Sequence, residues 1–85
     1  LYEIKPELEK SLQKLAKKDK RYYESVVRKI LQIADNPEIG KPLRNVLKGK
    51  RRVHIGHFVL IYEVDEKEKK ISFLDFEHHD DAYKQ

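Results

Sequence analysis

Residues 50 to 64 read KRRVHIGHFVLIYEV, two strand-like runs on either side of Gly56-His57. β-Branched and aromatic residues dominate both runs, which suits a pleated, half-buried surface. Gly56 at the first turn position can take a positive φ, as a two-residue type II′ hairpin requires. That turn sets the register: Ile55 faces Phe58, His54 faces Val59, Val53 faces Leu60 and Arg52 faces Ile61. Successive side chains alternate, so Val53, Ile55, Phe58, Leu60, Tyr62 and Val64 share one face, and Arg52, His54, Val59, Ile61 and Glu63 share the other. The first set needs a cover.

Working outward, Leu1, Glu3 and Lys5 alternate with Tyr2 and Ile4, the period of a short half-buried strand. Pro6 suits the first turn of a helix, along which Leu8, Leu12, Leu15 and Ala16 form one apolar stripe. Asp19 is placed to cap a second helix whose apolar positions are Tyr22, Tyr23, Val26, Val27, Ile30, Leu31 and Ala34. Asn36-Pro37 ends it. After the charged turn Asp65 to Lys69, residues 70 to 76 predict a last strand. Its Ile71, Phe73, Leu74 and Phe76 are apolar on both sides and leave its register open. The order predicts an α+β fold: an N-terminal strand and an antiparallel helical hairpin packed on one face of a mostly antiparallel β-sheet. With 85 residues, one domain over 1–85 is expected.

The chain has no cysteine, which excludes a disulfide framework, a thiolate nucleophile and a cysteine zinc site. No apolar run approaches the roughly 18 residues of a membrane span, and no secretory signal pattern is present, so a cytoplasmic protein without a membrane partner is expected. Charge is unevenly spread. Lys41 to Phe58 holds Lys41, Arg44, Lys48, Lys50, Arg51 and Arg52 with no acid, while Val59 to Gln85 holds eight acids against four bases. Such an acid-free basic stretch suits a polyanion such as RNA.

The helical hairpin, Leu47-Lys48-Gly49, the basic strand, the Gly56 turn, the strand Val59 to Val64 and the closing His78-His79-x-x-x-Tyr83 together resemble the RelE/ParE toxin superfamily. Its members are the toxins of type II toxin–antitoxin pairs. The resemblance implies a RelE-like fold and a ribosome-dependent mRNA endonuclease, without a cofactor, whose partners are the ribosome, mRNA and a cognate antitoxin that wraps over the toxin. A heterotetramer with the antitoxin is an assembly it also implies. In the family pattern two alternating basic residues precede the Gly turn; Arg52 matches the first and His54 stands at the second. Phe58 matches the aromatic that follows, Val59 replaces an Arg, Tyr83 matches the tail, and His79 replaces the tail's Arg.

Those residues suffice for a chemistry. RNA carries its own nucleophile, since a 2′-hydroxyl can attack the adjacent phosphate when held in line. The protein must then move protons and hold the charge that builds on the phosphate. The planar fork of Arg52 grips two phosphate oxygens and stays charged. His54 lies about 6.5 to 7 Å further along the same face and can act as acid or base near neutral pH. His79, in the position of the family's catalytic tail, is the second acid or base, and Tyr83 stacks on a base or orients the phosphate. Lys48, Lys50 and Arg51 are expected to contact the RNA backbone, although Arg51 falls on the face opposite Arg52 and could instead rim the helices. His78 and His79 beside Asp80 and Asp81 lack the geometry of a metal site, and no metal is expected. Val59 and Ile61 are expected to leave apolar surface for an acidic antitoxin segment, which would also neutralise part of the Lys41 to Arg52 run. Two other readings use the same fold: a ParE-like gyrase poison acting by protein contact, and a noncatalytic domain that only binds an antitoxin.

Overall fold

In a computed structural model, residues 1–43 and 49–78 are described. They form β1 (Tyr2–Ile4), α1 (Pro6–Lys18), α2 (Lys20–Asp35), a 3₁₀ turn (Pro37–Ile39), β2 (Lys41–Pro42), β3 (Lys50–Ile55), β4 (Phe58–Asp65) and β5 (Lys70–His78). The helices pack on one side of a five-stranded sheet ordered β1-β5-β4-β3-β2, the α+β architecture that the element order predicts. All pairings are antiparallel except β1 with β5. Sequence reading did not foresee β2. It has only two residues, pairing Lys41 with Arg52 and Pro42 with Arg51, and its proline is tolerated because it lies on an edge.

One residue joins the two helices. The Asp19 N–H donates to Leu15 O at 2.7 Å, closing α1, and its Oδ1 accepts from the Tyr22 N–H at 3.1 Å, opening α2. Leu8 and Leu12 of α1 are buried with Val26, Ile30 and Ile33 of α2. The expected stripe on α2 needs one correction, because Leu31 is 53% exposed and Ile33 is wholly buried. At about 100° per residue Leu31 lies some 140° round from Val26 and Ile33 only about 20°.

The β3–β4 hairpin has the register expected from its sequence, from Arg52 opposite Ile61 to Ile55 opposite Phe58. Gly56 has φ +63°, and His57 is not in the positive region, the sign pattern of a II′ turn. A second constraint acts there. A Cβ on Gly56 would lie 2.9 Å from the Tyr22 hydroxyl, which donates to the Ile55 carbonyl.

A bulge resolves the ambiguity of the last strand. Ile61 pairs with Asp75 but Tyr62 pairs with Phe73, so Leu74 is the extra residue of β5. Phe73 and Phe76, three apart, thereby both face the helices, opposite Tyr62 and Leu60. A regular strand would have turned one of them away.

Candidate functional site

On the face of the sheet away from the helices, side chains fall into cross-strand rows. One row runs Lys41, Arg52, Ile61, Asp75, and the next His54, Val59, Glu77. A third runs Lys50, Glu63, Ser72, Glu3. In these three rows every cationic member stands on β2 or β3 and every acidic one on β4, β5 or β1; Lys70 of β5, on the same face, is ion-paired to Glu3. The acid-free stretch of the sequence and the acid-rich stretch after it thus fold into adjacent halves of one surface.

The structure brings Arg52 and His54 together on this face, as their spacing predicts. Arg52 is half-buried with its Nε shielded from solvent, and His54 is exposed. Lys50 is half-buried in the neighbouring row. Glu77, which sequence reading passed over, shares the His54 row and has one carboxylate oxygen shielded from solvent. Its position follows from the bulge, so only the register of β5 could have revealed it. Lys48, His79 and Tyr83 lie outside the described residues.

Val59 requires a correction. It was expected to contribute exposed apolar surface, yet its exposure is 0%. Its short side chain on the central strand sits between the longer His54 and Glu77 of its own row, so this position supplies neither charge nor docking area.

Arg51 points to the helix side, where its Nη1 donates to Gly40 O at 2.7 Å. Tyr62 acts beside it. Its buried hydroxyl donates to Pro37 O at 2.6 Å and accepts from the Gly40 N–H at 2.9 Å. Burial raises the Tyr62 pKa above its ordinary value, keeping the phenol protonated and able to donate. A Cβ on Gly40 would lie 2.4 Å from the same hydroxyl and 2.9 Å from Arg52 O, so only glycine lets the chain pass this close. These bonds fix the segment before β2, and with it Lys41, against β3.

Between α2 and this edge is a cavity of about 210 Å3 lined by Lys29, Ile39, Lys41, Arg52, Val53 and His54. Beyond the hairpin turn, Phe58 and Phe76 stack at 4.8 Å between ring centres, and His78 meets Phe58 edge-on at 5.6 Å. At the opposite edge Glu3 is held by Lys5 at 3.0 Å, by the Ser72 hydroxyl at 3.0 Å and by Lys70 at 3.2 Å.

The geometry has counterparts. Residues 2–83 match the family model for the ParE toxin of the parDE type II toxin–antitoxin system. RelE4 of Methanocaldococcus jannaschii is 47% identical over 83 residues, covering 96% of this chain and 88% of that one. Among solved structures, the toxin–antitoxin complex RelBE2 of Mycobacterium tuberculosis superposes with a TM-score of 0.77 at 25% identity, covering 91% of this chain and 94% of its counterpart. The isolated RelE toxin of E. coli gives a TM-score of 0.77 at 15% identity over 99% of this chain and 95% of that one, a likeness of fold.

Proposed function

Because this chain belongs to the RelE/ParE superfamily of type II toxin–antitoxin toxins, we propose that it is a ribosome-dependent mRNA endonuclease whose site is centred on Arg52 and His54. The observation that carries this reading is their shared face on β3, within the basic half of the sheet and beside a cavity edged by further cations. RNA would enter with a phosphate on the Arg52 fork, which neutralises the charge that grows as the 2′-oxygen bonds to phosphorus and the 5′-oxygen departs. One imidazole, His54 or His79, accepts the 2′-hydroxyl proton, and the other protonates the leaving oxygen. Tyr83 orients the scissile nucleotide. Lys48 and Lys50 contact the backbone as sequence-blind charges, whereas Arg51, turned to the helix side and bonded to Gly40 O, holds the segment before β2 instead of RNA.

A cognate antitoxin is the proposed partner alongside ribosome and mRNA, assembled as a heterotetramer. RelBE2 of Mycobacterium tuberculosis is a toxin–antitoxin complex and supports that expectation. With Val59 buried, apolar surface for such a peptide is found instead on the outer side of α2, where Tyr23 and Val27 line a groove of about 290 Å3 and Leu31 is exposed. None of the described helices is long and apolar enough to cross a membrane.

Programmed ribosomes with an end-labelled mRNA test the reading. Cleavage within the A-site codon, lost in Arg52→Ala and His79→Ala, is the expected result. The gyrase reading has its own support, since the matching family model is that of ParE and Val59 leaves one arginine position of the RelE pattern uncharged. Intact mRNA together with inhibited supercoiling by gyrase would establish it instead.

A further inference from the structure

The cavity beside β3 carries more than general basicity. Its lining joins Lys29, Lys41, Arg52 and His54 to two apolar side chains, Ile39 and Val53, and contains no acid. Lys29 lies about 60° round α2 from Val26, at the margin of the buried stripe, and is a half-buried part of the cavity lining, a position where a lysine stem can cover apolar surface while its charge reaches water. Ile39 is 42% exposed at the other wall, an apolar side chain held out on the 3₁₀ turn that Tyr62 anchors. Cations at a rim and aliphatic walls within match a group that is charged at one end and flat and apolar at the other.

Size narrows the occupant. About 210 Å3 is below the roughly 300 Å3 at which clefts for drug-sized ligands begin, a size that suits one planar ring. Charge gives the direction of approach. Neighbouring strands are about 4.8 Å apart, within the Debye length of about 8 Å, so the acids of β4 and β5 repel a phosphate from the rest of the face and direct it to the β2–β3 edge. The cavity opens there, and two of its walls are the groups placed at the cleavage site.

We propose that this cavity receives the nucleotide adjoining the scissile linkage, its base held between Ile39 and Val53 and its phosphate on Lys29 and Lys41. The proposal rests on the endonuclease reading for its place beside the cut, but the binding itself is measured without ribosomes. Uridine and adenosine 5′-monophosphates, titrated into the full chain carrying labelled methyl groups and followed by NMR, should shift the Ile39 and Val53 methyl signals, whereas inorganic phosphate should leave them in place. Ile39→Asp, at an exposed position that should not impair folding, should abolish the Val53 shift. For a short RNA made uncleavable by one 2′-deoxy sugar, Lys29→Gln with Lys41→Gln should flatten the dependence of log affinity on log salt by about 0.7, the share of one phosphate on a single strand. Unmoved Ile39 and Val53 methyl signals while the backbone amide signals of Arg52 and His54 respond, in a sample also labelled with nitrogen-15, would overturn the nucleotide site and leave the cleavage reading standing. Equal shifts with a hexaglutamate peptide would overturn it in favour of an acidic protein segment. Failure of the cleavage reading shows separately, as intact mRNA on ribosomes mixed with the unaltered protein.

Discussion

On the helix side of β3 and β4, Ile55, Leu60 and Tyr62 are buried against Leu8, Leu12, Val26, Ile30 and Ile33, while on the far side the same strands present Arg52, His54 and Glu63 around a single buried valine. One alternation generates both surfaces. They differ in what holds them: the first by apolar burial and directed hydroxyl bonds, the second by charges whose partition between strands is inherited from the order of basic and acidic segments along the chain. The helix side should therefore govern whether the chain folds, and the far side what it does once folded.

The largest expected effect is on the helix side. Phe73 is wholly buried, edge-on to Tyr2 at 5.8 Å and tilted against Tyr62 at 5.8 Å. Phe73→Ala should cost about 3–5 kcal/mol in urea unfolding, a large part of what a domain this size possesses. Val59→Ala, on the far side, removes two methyl groups' worth of buried surface and should cost about 1–2 kcal/mol. Equal losses would break the comparison, because they would make the far face a second core.

Next comes Arg52→Ala, which should lower the rate of A-site cleavage by about 10²–10³, the usual effect of deleting one preorganised donor to developing charge. Arg52→Lys should recover only part of it, since a point charge replaces a two-pronged grip. Retained thermal unfolding in both variants would place the loss in chemistry. A rate unchanged by either would remove the basis of the proposed mechanism.

Tyr62→Phe sharpens the comparison because it lies where the two sides are coupled. It leaves the Gly40 N–H and Pro37 carbonyl without their shared buried partner, for an expected loss of about 2–3 kcal/mol. The same change frees the segment that carries Ile39 and Lys41, so RNA affinity should fall with stability. The phenol adds a pH check. With its folded pKa raised by burial, its contribution is complete below the ordinary value of 10 and is lost as pH rises through the folded value. Stability measured on the alkaline side should decline more steeply in the native protein than in the Phe variant, where Tyr22, also raised by burial, still contributes.

How far the sequence could be read follows the same division. Gly56 between two β-rich runs sufficed for the whole β3–β4 register, because a two-residue turn admits one pairing and a one-residue slip would expose every core side chain. The cap at Asp19 was equally local. What escaped was set by distant contacts: the bulge at Leu74 is visible only once Tyr62 and Phe73 are paired, and β2 exists because Arg51 and Tyr62 hold Gly40 in place. At the candidate site, alternation alone put Arg52 and His54 on one face. Lys29 could not be assigned to the same cavity, because it comes from α2, and how that helix lies against β3 is set by tertiary packing that no spacing in sequence encodes.

The smallest effect belongs to the sheet edge farthest from β3. There the hydrogen bond from Lys5, with those from Ser72 and Lys70, holds the Glu3 carboxyl down to about 2 from its ordinary 4.5. The folded state thus binds this proton less readily than the unfolded one, so the contribution is complete above about pH 4.5 and disappears as pH falls toward 2. Water and salt screen it, since the side chain is 35% exposed. Thermal unfolding across that range should show a shallow acid loss that Glu3→Gln reduces and added salt blunts. A loss of the same slope in the Gln variant would move the acid sensitivity to the other carboxylates of the far face, Glu63, Asp75 and Glu77, and make that face a contributor to stability as well as to function.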